Sequence, residues 1–107
     1  MAKLDNSKPN RRFTNARAAA RSASKEWTIT FDEYTEITKQ NRCYYCRVDF
    51  GKLTGSCLDR VDSNLGYHVD NVVPCCRRCN MLKSNEFTEA ETKFMVLALK
   101  IFRRYKD

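Results

Sequence analysis

Residues 70–83 read Asp-Asn-Val-Val-Pro-Cys-Cys-Arg-Arg-Cys-Asn-Met-Leu-Lys, and residues 43–46 read Cys-Tyr-Tyr-Cys. They contain two CxxC pairs, Cys43/Cys46 and Cys76/Cys79, with 29 residues between the inner cysteines. CxxC lets two sulfurs reach one ion at ~2.3 Å without strain, so two such knuckles predict a closed, tetrahedral structural zinc site. Pairing Cys75 with Cys79 would give CxxxC, so Cys76 is the better ligand. Cys57 and Cys75 then read as small buried hydrophobes. No βαβ pattern surrounds either pair, which disfavours a redox dithiol. A reducing compartment also favours metal over disulfides.

Outward from the knuckles, the 107-residue chain has room for one small domain, where a metal commonly supplements a modest core. Trp27–Thr30 has the residue types of a short strand or extended lead-in. Thr30 and Glu33 form a capping box that predicts a helix from Phe31 to about Lys39, burying Phe31, Tyr34 and Ile37. Residues 47–74 read as a two-stranded ribbon with a long loop, the second strand ended by Pro74. A helix over 76–84 follows. A second capping box, Thr88 with Glu91, opens the last helix. There Phe94, Leu97, Ile101 and Tyr105 form one stripe, and Met95, Leu99 and Phe102 another. This wide apolar surface is expected to be clamped between the basic helix and the ribbon, with a dimer seam as the rival.

Residues 1–25 carry a net charge of +6 and the remainder +1. A segment with nearly all the charge suits a polyanion, since Lys and Arg displace counterions from phosphates; a solvated tail is the plain alternative. Residues 1–12 read as an arm, and Phe13 to about Ser24 as a basic helix with Arg17 and Arg21 on one face and Phe13, Ala16 and Ala20 on another. The expected domains are therefore 1–25 and 26–107. The longest apolar run, Phe94–Leu99, is far short of the ~18–20 residues of a membrane span. The N-terminus lacks the apolar core of a signal peptide, so a cytoplasmic location is expected.

Between the knuckles stand Leu58-Asp59-Arg60-Val61-Asp62, Gly66-Tyr67, and the Asn71–Lys83 run quoted above. In this order the motifs resemble the HNH, or ββα-metal, endonucleases of the zinc-knuckle kind, especially small phage and homing-type members. The resemblance covers residues 43–87. It implies an α+β fold, a zinc-stapled ββα-metal core with a flanking N-terminal basic helix and a C-terminal helix. The implied activity is metal-dependent hydrolysis of DNA phosphodiesters by a monomer or homodimer, in the host-cell cytoplasm if the chain is phage-encoded.

Carried over residue by residue, Asp59 and Asn80 match the ligands of a catalytic Mg²⁺ or Mn²⁺, and Asn71 matches the Asn that braces the loop. Arg60 stands where the family's best-known form has a His base. A guanidinium cannot take a proton, so Arg60 suits phosphate instead. His68, the one histidine, is a candidate base with the right intrinsic pKa. Asp62 is either a base or ligand, or a turn anchor. Tyr44, Tyr45 and Tyr67 are candidate proton carriers, although packing around the knuckles explains them more simply. Arg11, Arg12, Arg17, Arg21 and Lys83 are the expected nucleic-acid contacts, Lys83 being alternatively a solvated lysine. The rival function is a catalytically silent zinc module that binds DNA or a protein partner.

Overall fold

The computed structural model describes residues 9–50, 57–84 and 86–106, so residues 1–8 of the expected arm and Gly51 and Gly55 of the loop lie outside them. The order is α1 (Pro9–Ser22), α2 (Phe31–Lys39), β1 (Cys57–Arg60), β2 (Val72–Cys75), α3 (Arg77–Lys83) and α4 (Glu89–Lys106).

Helix α1 begins four residues earlier than its Ala/Arg pattern predicts. Pro9 at its first position costs nothing, because that N–H has no helical partner and the ring already holds a helical φ. Phe13 and Ala20 are buried and Ala16 partly so, packed with Trp27, Ile29, Tyr34, Ile37 and Val72. The ring of Phe13 meets Trp27, Phe31 and Tyr34 edge-on at 5.5–5.9 Å. The basic helix is thus built into the core of the domain. Helix α2 has the predicted bounds, with both capping-box bonds made: Glu33 N–H to Thr30 Oγ1 and Thr30 N–H to Glu33 Oε1. Phe31, expected to be buried, is 41% exposed and offers only one edge to Phe13.

β1 and β2 pair antiparallel, with Cys57 opposite Cys75, Leu58 opposite Pro74, Asp59 opposite Val73, and Arg60 opposite Val72. Pro74 lies inside β2 instead of ending it. The bond from Val61 N–H to Asn71 O fixes the ladder's phase and makes Leu58/Pro74 a pair whose polar groups point outward. A missing N–H is harmless there, and the outward Pro74 carbonyl accepts from Tyr44 N–H at 2.8 Å. The ribbon separates two cores: Val72 belongs to the α1/α2 cluster, while Cys75 packs with Cys43, Tyr45, Cys46, Phe50, Cys79 and Val96.

Trp27 forms a single parallel bridge with Tyr67, tying the lead-in to α2 onto the β1–β2 loop. Gly66 is required at this crossing, because a Cβ there would stand 2.7 Å from Glu26 Cβ and 2.9 Å from Glu26 O. Helix α4 opens on the predicted Thr88–Glu91 box, but it is not clamped. Val96 packs with the knuckle cluster and Thr92 is buried, whereas Phe94 is 73% exposed and Leu97, Leu99, Ile101 and Phe102 are exposed with it. The reason is topological: α4 packs on α3, and α1 packs on α2 on the other side of the ribbon. The side chain of Tyr105 lies outside the described residues.

Candidate functional site

The two knuckles converge as their spacing predicts. The sulfurs of Cys43, Cys46, Cys76 and Cys79 all lie within 4.8 Å of one another. Cys46 Sγ and Cys76 Sγ are 3.7 Å apart, close to the ~3.8 Å edge of a tetrahedron with ~2.3 Å bonds. Backbone N–H groups of Tyr45 and Cys46 point at Cys43 Sγ, and that of Cys79 points at Cys76 Sγ, where Cys76 is the N-cap of α3. Burial raises the Cys43 thiol, but these and neighbouring donors outweigh it and bring it down to about 7. Burial pushes the Cys76 and Cys79 thiols up. Four sulfurs on a tetrahedral footprint fit a metal ion, and this donor set suits zinc. Cys75, fully buried, donates instead to the Cys76 carbonyl, and its thiol is held up by burial.

A groove of 620 Å³ runs between α1 and the ribbon with α3. Its walls include Arg12, Lys25, Asp59, Arg60, Tyr67 and Asn80, and the small face Ala16, Ala19, Ala20 and Ala23 keeps it open on the α1 side. Asp59 and Asn80 therefore face one cavity, from the strand and from the helix packed across it. Among the described residues, Asp59 is the one acid in this lining. The Nε of Arg12 is buried without a hydrogen-bond partner, and no other buried side-chain N or O atom among the described residues lacks one. Arg12 itself lines the groove, where its guanidinium can meet an incoming anion.

Three groups hold the strand end. Asp59 is 5% exposed; its Oδ2 accepts from Tyr45 Oη at 2.6 Å, and its Oδ1 lies 3.4 Å from Lys83 Nζ. Burial, and then the bond to Asp59, keep the Tyr45 phenol protonated far into the alkaline range. Arg60 is buried, donates from Nη1 to Ser63 O and Leu65 O at 2.7 and 2.9 Å, and stacks on Tyr67 at 5.4 Å. Asn71 Oδ1 accepts from Asp62 N–H, while its Nδ2 donates to Asp62 O and Gly66 O. Asp62 is exposed, and its Oδ1 accepts from Asn64 N–H, the geometry of a turn anchor.

Two expectations meet a different geometry. Lys83 is 1% exposed, and its Nζ donates to Arg60 O at 2.7 Å beside the Asp59 carboxylate. It is neither a solvated lysine nor an arm toward phosphate; its place on the inner face of α3 buries it behind β1. His68 lines a separate depression with Thr28, Glu33 and Asn71, away from the Asp59 groove. Its ring spans Thr28 Oγ1 at 2.8 Å and Glu26 Oε1 at 2.9 Å, which pins the loop to the α2 lead-in. Tyr45, read from the sequence as a candidate proton carrier explained more simply by packing, touches Asp59 directly. Its position inside a knuckle four-residue turn was the available signal. Of the α1 arginines, Arg12 enters the groove, Arg17 covers the Phe13 ring at 5.0 Å, and Arg11 and Arg21 are exposed.

No family model matches the chain. An uncharacterized protein of Acanthamoeba polyphaga mimivirus, R423, is 30% identical over 95 residues, which is 89% of this chain and 17% of that protein. An uncharacterized 29.0 kDa protein of Enterobacteria phage T4, from the dda-modA intergenic region, is 31% identical over 103 residues, 90% of this chain and 40% of its own. The chain thus spans less than half of either viral relative. Among solved structures, that of the rare-cutting HNH restriction endonuclease PacI superposes with a TM-score of 0.77 at 23% identity, covering 86% of this chain and 76% of PacI. The fold is α+β and HNH-like, with a cysteine cluster fit for metal.

Proposed function

We propose that this chain is a metal-dependent DNA endonuclease, with zinc in the four-cysteine site and Mg²⁺ or Mn²⁺ at Asp59 and Asn80. The observation that carries the reading is the groove itself: the Asp59 carboxylate and the Asn80 amide both line it, with Arg12, Lys25 and Arg60, on an HNH-like fold. A bound divalent ion would supply Lewis-acid stabilisation at the scissile phosphorus and its leaving oxygen. The Asp59 carboxylate and Asn80 carbonyl would hold that ion, both being hard oxygen donors. Arg12, which lines the groove, would offer its guanidinium to a phosphate oxygen, and Arg60, fixed by two carbonyls and a ring, would place its charge beside the same phosphate. Asn71 braces the loop that orients Arg60. The exposed Arg11 and Arg21, with Arg17, would extend the contact along the backbone.

Phosphate contacts position DNA without reading sequence, so nicking of low sequence specificity is the expected outcome. The rival, a silent zinc module that binds DNA, draws on one observation: Tyr45 and Lys83 already engage both Asp59 oxygens. Supercoiled plasmid separates the two. The endonuclease converts it to nicked circles with Mg²⁺ or Mn²⁺, and Asp59→Ala abolishes this while the protein stays folded. A protein that shifts DNA on a gel and never cuts it with any divalent ion is the silent module.

A further inference from the structure

Lys83 has no part in the expected set of metal ligands, yet it is the most buried charged side chain beside the groove. Its Nζ is anchored 2.7 Å from Arg60 O and stands 3.4 Å from Asp59 Oδ1, at 1% exposure. Among the described residues, the carboxylate it faces is the only acid lining the groove, alongside Arg12, Lys25 and Arg60. One negative charge against a fixed ammonium and three further cations leaves the groove net positive. Cation sites gain affinity from the number of charged oxygen ligands they offer. Here the protein offers one carboxylate, already offset by Lys83, and one neutral amide.

On the reading of Asp59 and Asn80 as ligands, we propose that Lys83 makes divalent-ion binding depend on DNA. It is a positioning residue that fixes Asp59 and repels a lone dication, so that the ion enters together with a phosphate group. The phosphate brings the negative charge that the groove lacks, and Arg12 and Arg60 favour its arrival. Ion and substrate then bind with positive coupling, each raising the affinity of the other by the same factor. Mn²⁺ bound without DNA would be weak, which spares the free protein an idle hydrolytic centre.

The test is a titration of zinc-loaded protein with Mn²⁺, followed by the electron paramagnetic resonance of the free ion. It is run with and without a short phosphorothioate-linked duplex, with the duplex alone subtracted. In wild type the duplex should tighten Mn²⁺ binding by about tenfold or more, the scale of a unit charge a few ångströms from a dication. Lys83→Met should tighten binding without DNA by a similar factor and shrink the effect of the duplex. Lys83→Gln serves as the second neutral variant, and the wild-type comparison stands even if neither folds. Equal Mn²⁺ affinity in wild type with and without duplex overturns the proposal. So does a folded neutral variant that binds no more tightly, provided Asp59→Asn weakens binding. If Asp59→Asn binds Mn²⁺ as wild type does, the ligand assignment beneath the proposal falls as well.

Discussion

Replacing Asn71 with Ala strips three hydrogen bonds from one buried side chain: Asp62 N–H to Oδ1 at 3.0 Å, and Nδ2 to Asp62 O at 3.2 Å and to Gly66 O at 2.9 Å. Each is worth about 0.5–1.5 kcal/mol net, and partners left unpaired near the core cost more, so the loss is about 2–4 kcal/mol. For a domain of this size that lowers Tm by roughly 10–25 °C. The loop so loosened carries the Ser63 and Leu65 carbonyls that fix Arg60. DNA cleavage should therefore fall further than stability alone explains when assayed well below the new Tm. Asn71→Asp is the sharper control. It keeps an acceptor for Asp62 N–H but sets carboxylate oxygen against two carbonyls, so it should melt at or below the Ala variant. Differential scanning calorimetry on zinc-loaded protein measures both. An Asn71→Ala Tm within a few degrees of wild type would refute the claim that this side chain organises the loop.

Two further outcomes concern the cysteines and tyrosines. Stripping the metal with a chelator, or Cys43→Ser, should abolish cooperative unfolding in circular dichroism. A four-thiolate zinc site contributes an apparent ~10–16 kcal/mol, beyond what so small a core replaces. Alkaline pH should destabilise the folded protein. Buried Tyr34 and Tyr45 titrate above their ordinary value of 10.0 when folded, chiefly through burial, so the unfolded chain releases those protons first. The tyrosine contribution is then complete below pH 10 and falls above it, by at most about 1.4 kcal/mol per pH unit for each tyrosine, and the Cys57 and Cys75 thiols, likewise raised by burial above their ordinary 9.0, add a loss that begins near pH 9. Urea midpoints between pH 9 and 11 check this, and Tyr45→Phe should lessen the slope.

What could be read from the chain alone was what depends on a few neighbours in sequence. The boxes Thr30–Glu33 and Thr88–Glu91 are closed by residues three apart, and each knuckle is made within one turn. Both helix starts follow from such short-range geometry, and the sulfur cluster, though its knuckles stand 30 residues apart, was legible because each CxxC supplies only half of a four-sulfur site. What escaped depends on long-range packing. Lys83 is polar by every local measure, and only the passage of β1 across α3 buries it against Asp59 and Arg60 O. Tyr45 meets Asp59 because the first knuckle packs behind the ribbon, a contact 14 residues apart in sequence. The bare apolar side of α4 likewise reflects where α1 packs, which no periodicity in 89–106 encodes.

The proposed hydrolytic metal site rests on Asp59 and Asn80. Incubating zinc-loaded protein and its Asp59→Ala variant with supercoiled plasmid, with and without Mg²⁺ or Mn²⁺, tests it most directly. Nicked circles that require the added ion and vanish in the variant are expected, with both proteins folded and carrying zinc. Undiminished nicking by Asp59→Ala, or nicking indifferent to the ion, would contradict it.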